Sequence, residues 1–311
     1  MTTSFQPITR LRHVGLGVPD YAKSVEFYKN MWGLQPVAED SGITFFGTPA
    51  DPEHYILRVR KDTDQRLDLI SFGTDTEAEV DELAQRLGSA AVKLDREPGQ
   101  LDTPGGGYGL RFFDPDGRLI EVSAGVEERP FRALEPRESV PKKLSHVVIN
   151  STDVKATKAF YETHLGFKLS DWLGDMMCFM RSGTQHHILA IAQAPSVSLN
   201  HVSFELRGLD EYMRGTGRLL RSGHRPLWGP GRHGPGDNTF TYFNDPEGNI
   251  VEYTTELEMI PDEDTWEPRT FDMSDPESQD QWGTGGSITE EMIPAMLRQK
   301  TDSGLWKPSP V

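Results

Sequence analysis

Cysteine occurs once in this chain, at Cys178, which excludes an intrachain disulfide and any metal cage built from thiolates. A metal bound here must be held by nitrogen and oxygen. Long apolar runs are also missing: no stretch approaches the roughly 18 residues that a membrane helix needs. The opening MTTSFQPITR lacks the apolar segment of a secretory leader. A cytoplasmic protein with no membrane partner is therefore expected. Positive charge is scarce, since 32 Lys and Arg face 48 Asp and Glu for a formal charge of −16, with no basic run to offset it locally. Nucleic acid is not an expected partner. Gly105-Gly106-Gly107 has no Gly-Lys-Ser/Thr after it, so it is read as a turn and not as a phosphate cradle.

What is present is a module written twice. LRHVGLGVPDYAKSVEFYKNMWGL from Leu11 is matched by LSHVVINSTDVKATKAFYETHLGF from Leu144, pairing His13 with His146, Asp20 with Asp153, Phe27-Tyr28 with Phe160-Tyr161 and Gly33 with Gly166. The copies also end alike, RFFDPDGRLIE at Glu121 and TYFNDPEGNIVE at Glu252. Each opens with a strand, an Asp suited to N-capping, a helix and a Gly where a left-handed cap is expected, followed by several strand-like runs. The order resembles βαβββ units. Residues 124–143, rich in Pro and charge, are the expected linker between domains at 1–123 and 144–258. Residues 259–311 carry many turn formers with isolated Trp266, Phe271 and Trp282, and are expected to pack over the second domain, with a short helix from about Thr289 to Lys300.

Chemistry concentrates in the second copy, which holds most of the nine histidines. Asn244-Asp245-Pro246-Glu247-Gly248-Asn249 is turn-forming, so Thr239 to Phe243 and Ile250 to Tyr253 are expected to form a hairpin. Alternation then turns Glu252 away from Val251 and Tyr253 into a sheet face, where a carboxylate needs a cation. His146 and His201 lie on two further strands that a curved sheet brings to the same place. Two imidazoles and one carboxylate leave coordination positions open, as suits Fe(II) that binds a substrate and O2 together.

On these motifs, above all Tyr242-x-x-Asp245-Pro246-x-Gly248-x-x-x-Glu252 preceded by His233, the chain resembles a two-module type I extradiol dioxygenase. These catechol-cleaving enzymes belong to the vicinal oxygen chelate, or glyoxalase/bleomycin-resistance, superfamily. The resemblance covers about residues 8–258. It implies an α+β fold of two tandem domains, each a pair of βαβββ modules curving into an open barrel. It implies His146, His201 and Glu252 as ligands of Fe(II), with Mn(II) as the alternative metal. His187 takes the place of the acid/base histidine, or adjacent His186 if the strand shifts by one residue. His233 and Tyr242 take the places that touch substrate and oxygen-derived groups. The implied partners are a small aromatic diol, O2 and further copies of the chain in a homo-oligomer.

The first copy is an internal control. It keeps His13 and Glu121 but sets Leu69 opposite His201, so it is expected to be structural and to lack an intact metal site. Where members that take carboxylated catechols often carry an arginine, this chain has Leu227-Trp228, which leans towards a neutral diol. A redox-silent glyoxalase-like enzyme and a non-catalytic binding protein of the same superfamily are the alternative readings.

Overall fold

A computed structural model describes residues 5–286, 288–296 and 304–311 of the chain. Its first sheet contains β1 (Arg10–Val18), β2 (Gln35–Asp40), β3 (Ile43–Gly47), β4 (Leu57–Lys61), β5 (Arg66–Gly73), β6 (Leu94–Gln100), β7 (Tyr108–Phe113) and β8 (Leu119–Ala124). The second contains β9 (Lys143–Ser151), β10 (Lys168–Leu173), β11 (Met177–Arg181), β12 (Leu189–Gln193), β13 (Ser198–Glu205), β14 (Trp228–Arg232), β15 (Thr239–Asn244), β16 (Ile250–Thr255) and β17 (Arg269–Phe271). Helices α1 (Tyr21–Glu26), α2 (Glu77–Ser89), α3 (Val154–Leu165) and α4 (Leu209–Arg221) follow β1, β5, β9 and β13.

The strand orders, β2-β3-β4-β1-β5-β8-β7-β6 and β14-β15-β16-β13-β9-β12-β11-β10-β17, resolve into four βαβββ units. Two units meet in each sheet along an antiparallel central pair, β1 with β5 and β9 with β13. The capping expected from sequence is in place: Asp20 and Asp153 accept from the backbone N–H groups of Lys23 and Ala156. The paired helical segments end at Gly33 and Gly166, whose φ of +89° and +73° suits a residue without Cβ.

Strand alternation divides the side chains. Val147 and Ile149 of β9, Val202 and Phe204 of β13, and Val251 and Tyr253 of β16 face a single apolar core that continues into the first sheet. Reciprocal bonds lock the halves together. Tyr28 donates to Asp245 Oδ2 at 2.8 Å, and Tyr161 donates to Asp114 Oδ2 at 3.2 Å, each using the turn aspartate of the other half. Trp32 stacks on Tyr253 with ring centroids 3.8 Å apart.

The C-terminal extension departs from expectation by dividing between the two halves. β17 adds to the edge strand β10, and α5 (Pro276–Gln279) and α6 (Met292–Met296) follow it. Met292 and Ala295 pack with Leu227, Trp228, Phe240 and Tyr242. Trp306–Val311, however, seats on the first sheet. The reason is local: Gly117 leaves room for the Trp306 ring, which a Cβ there would meet at 2.5 Å. The buried Arg58 guanidinium needs acceptors beyond Asp68 and finds Ser309 Oγ at 2.7 Å and the Val311 main-chain oxygen at 2.6 Å. Of the helix expected over Thr289 to Lys300, Met292–Met296 is helical, and residues 297–300 lie outside the described residues. Pro294 falls in the first turn of α6, where its missing N–H costs nothing.

Asp245 also accepts from the backbone N–H groups of Glu247 and Asn249 and from the Asn249 amide. Asp245→Ala strands all of these donors and the Tyr28 hydroxyl. It is expected to cost about 3 kcal/mol or more, read as a lowered denaturant midpoint.

Candidate functional site

The face of the second sheet turned from the core carries the polar side chains predicted to act together. His146 of β9, His201 of β13 and Glu252 of β16 offer ligand atoms within 4.8 Å of one another, and all three residues are buried. The ladder explains their convergence. Ser203 pairs with His146 on one side and with Glu252 on the other, and His201 lies two residues before it on the same face.

His146 Nε2 and His201 Nε2 approach Glu252 Oε2 to 3.0 and 3.4 Å. Even so, His201 Nε2 and both Glu252 oxygens lack a partner in hydrogen-bonding geometry. His201 Nδ1 lies 2.8 Å from Asn200 Oδ1, and the Asn200 amide nitrogen donates to Asn150 Oδ1, which fixes Oδ1 of Asn200 as the acceptor. His201 therefore carries its proton on Nδ1 and turns a bare Nε2 lone pair towards a carboxylate. Opposed lone pairs in a buried site call for a cation between them. Burial alone would raise the Glu252 carboxyl and lower the His201 imidazole. For Glu252 the adjacent His146 outweighs burial and holds it well below the usual carboxylate range, whereas for His201 burial prevails. A nitrogen–nitrogen–oxygen donor set with open positions suits Fe(II) or Mn(II).

His187 joins this cluster, with its ring centroid 4.4 Å from that of His146. Burial, reinforced by the surrounding imidazoles, pushes its pKa well below the ordinary histidine value. His186 points the other way and bonds Asp171 Oδ2 at 3.0 Å, so the register places His187 on the inner face. His233 and Tyr242 meet each other: His233 Nε2 lies 2.8 Å from the Tyr242 hydroxyl, and His233 Nδ1 lies 3.1 Å from the Gln279 carbonyl. A carbonyl only accepts, so Nδ1 carries the proton. Burial pushes the His233 pKa down to about 4, leaving a neutral ring whose Nε2 accepts from Tyr242. Burial, then Glu252, raises the Tyr242 phenol well above its usual value, so it keeps its proton to donate. Val148, Phe179 and Ala190 form a small apolar cluster beside these groups, with the Phe179 ring 5.1 Å from that of His187.

The first sheet shows the same frame with different side chains. Ser71 pairs with His13 and Glu121, which places Leu69 where the second half has His201. Arg111 lies opposite Glu121 as Tyr242 lies opposite Glu252, and its guanidinium reaches Glu121 Oε2 at 2.9 Å. Ser71 donates to the other oxygen. Tyr55 stands where the second half has His187, its ring 4.4 Å from that of His13.

Residues 10–122 and 143–253 each match the model of the Glyoxalase/Bleomycin resistance protein/Dioxygenase superfamily. The chain belongs to that superfamily. Among its members, metapyrocatechase 2 of Cupriavidus necator is 29% identical over 87% of this chain and 88% of its own length. The manganese-dependent 2,3-dihydroxybiphenyl 1,2-dioxygenase of Geobacillus genomosp. 3 is 25% identical over 84% and 89%. A solved structure described as a Mn(II)-bound glyoxalase from Novosphingobium aromaticivorans is 40% identical, covers 97% of this chain and 98% of its own, and superposes with a TM-score of 0.92.

Two residues beside the site escaped the sequence reading, Asp171 and Arg269. An Asp inside the strand-like run LSDWL is the one sequence signal that marks Asp171, since strands are depleted in Asp. Arg269 lies in the extension and nothing local marks it. Glu252→Ala is expected to weaken divalent metal binding by at least about 100-fold, the upper end of what even an outer ligand support contributes. Metal per chain after dialysis against chelator measures it.

Proposed function

We propose that this chain cleaves a catechol-type diol with O2 beside the two hydroxyls, holding Fe(II), or Mn(II), on His146, His201 and Glu252. The observation that carries this reading is the buried cluster of unpartnered His201 and Glu252 ligand atoms with His187 and the Tyr242–His233 pair around it. Relatives named metapyrocatechase 2 and 2,3-dihydroxybiphenyl 1,2-dioxygenase support it.

The bound metal would supply a common site for both diol oxygens and O2 and a route for electrons between them. The protein's residues manage protons and position. His187, kept neutral by burial, takes the proton of a diol hydroxyl and returns it later in the cycle. Tyr242 turns its hydroxyl from His233 Nε2 to the oxygen where negative charge develops, and His233, fixed by the Gln279 carbonyl, keeps it within reach. Val148, Phe179 and Ala190 give the ring and its substituents an apolar wall, and Trp228 and Leu227 are buried beneath α6. These surroundings favour a neutral aromatic diol over a carboxylated one.

The first domain acts as scaffold, because Arg111 takes the charge-balancing place beside Glu121. One metal per chain is the expected stoichiometry. A cytoplasmic homo-oligomer is the expected state. Exposed Leu209, Met213 and Leu220 on α4 offer apolar area for assembly, and no helix among the described residues is long and apolar enough to cross a membrane.

The 40% identical Mn(II)-bound structure described as a glyoxalase favours a second reading, a redox-silent reaction at the same metal. Oxygen uptake separates the two. Anaerobically purified, Fe(II)-loaded protein is expected to consume O2 with a catechol panel and give a yellow ring-fission product. His187→Phe is expected to lower turnover by about 10²- to 10⁴-fold while the metal stays bound. Metal binding without O2 uptake across the panel would move the assignment to the redox-silent reading.

A further inference from the structure

Behind His187 lies a buried chain of polar side chains. His187 Nδ1 lies 2.9 Å from His186 Nδ1, and His186 Nε2 lies 3.0 Å from Asp171 Oδ2. Both Asp171 and His186 are fully buried. Arg269 of β17 clamps the carboxylate from outside: its Nε and Nη2 reach Oδ2 at 3.0 and 2.7 Å, and its backbone N–H donates to Oδ1 at 2.7 Å. Trp266 packs edge-on against His186 and donates from its indole N–H to the Ser170 carbonyl.

The direction of these bonds follows from donor and acceptor chemistry. An ionised carboxylate only accepts, so His186 Nε2 carries a proton. With that single proton on the His186 ring, Nδ1 holds the lone pair, and the 2.9 Å contact is a donation from His187 Nδ1–H. His187 is left with its lone pair on Nε2. A neutral imidazole accepts a proton through that lone pair and through no other atom. An isolated histidine exchanges freely between its two tautomers, whereas this chain holds one.

The duplicated module shows that the network is not required by the fold. Ala38 faces Phe45 across β2 and β3 as Asp171 faces Phe179 across β10 and β11, so an alanine occupies the aspartate's place. His54 occupies the place of His186 but turns to the Glu127 carbonyl, and Tyr55 replaces His187. The carboxylate–imidazole chain therefore exists only in the half that carries the two-histidine, one-glutamate cluster.

We propose that Asp171 and His186 are positioning residues that fix His187 in the Nδ1–H tautomer and so aim its Nε2 lone pair at the substrate hydroxyl, with Arg269 tying this arrangement to the C-terminal extension. The inference rests on the acid/base role assigned to His187, but its first test needs no turnover. Protein loaded with diamagnetic Zn(II) and labelled with 15N-histidine reports the protonated nitrogen of each ring, and His187→Phe assigns the His187 signals. The expected spectrum has His187 protonated on Nδ1. Asp171→Asn replaces the ionised acceptor of His186 Nε2–H with a neutral amide, which weakens the hold on one tautomer and is expected to shift part of the His187 proton to Nε2. In the iron-loaded enzyme the same variant is expected to lose roughly 10²- to 10⁴-fold in kcat, with KM within about twofold and metal content unchanged.

Arg269→Gln keeps the Asp171–His186 bond and is expected to keep the tautomer, which covers the case in which Asp171→Asn does not fold. A parent spectrum with His187 protonated on Nε2 overturns the proposal without any variant. An unchanged kcat in an Asp171→Asn protein whose His187 tautomer population has shifted overturns the positioning role. Absence of O2 uptake in the parent, with the Nδ1–H tautomer present, counts against ring cleavage and leaves the tautomer assignment standing.

Discussion

A carboxylate buried on the face of a sheet must be neutralised, and this molecule contains two solutions to that one requirement. Glu121 and Glu252 occupy equivalent places beside equivalent serines. In the first half Arg111 reaches Glu121 and Ser71 donates to its other oxygen, so the charge is matched within the chain. In the second half the residue opposite Glu252 is Tyr242, whose hydroxyl is engaged by His233, and the nearest groups are imidazole nitrogens. The charge there is left for an ion to balance. The cost of burying an unpaired carboxylate is what turns a duplicated structural module into a candidate metal centre.

The remaining architecture serves to hold that carboxylate and its neighbours in register. Each ligand sits on a strand whose alternate residues are committed to the apolar core, so the core residues Val147, Val202 and Val251 fix His146, His201 and Glu252 on the opposite face. Asn150 and Asn200 set the orientation of His201, and Gln279 sets that of His233. The extension contributes to both ends of this arrangement. Arg269 reaches Asp171 behind His186, while α6 packs against Trp228 and Tyr242.

The sequence alone was enough to determine the duplication, the α+β class, the capped helices and the closing hairpin. Those features depend on local chemistry and period: an Asp that accepts from a backbone N–H, a Gly that takes a positive φ, and an alternation that turns Glu252 away from Val251. The constellation was legible for the same reason, because His146, His201 and Glu252 lie on strands whose inward faces can be counted. Tertiary structure decided what counting leaves open. It set His187 against His146 and His186 against Asp171, because only the packed sheet brings Asp171 to His186 from another strand. It joined His233 to Tyr242, and it sent Trp306–Val311 to the first half to satisfy the buried Arg58 guanidinium. These outcomes rest on hydrogen bonds between residues far apart in the chain, where pattern and propensity carry no information about which donor meets which acceptor.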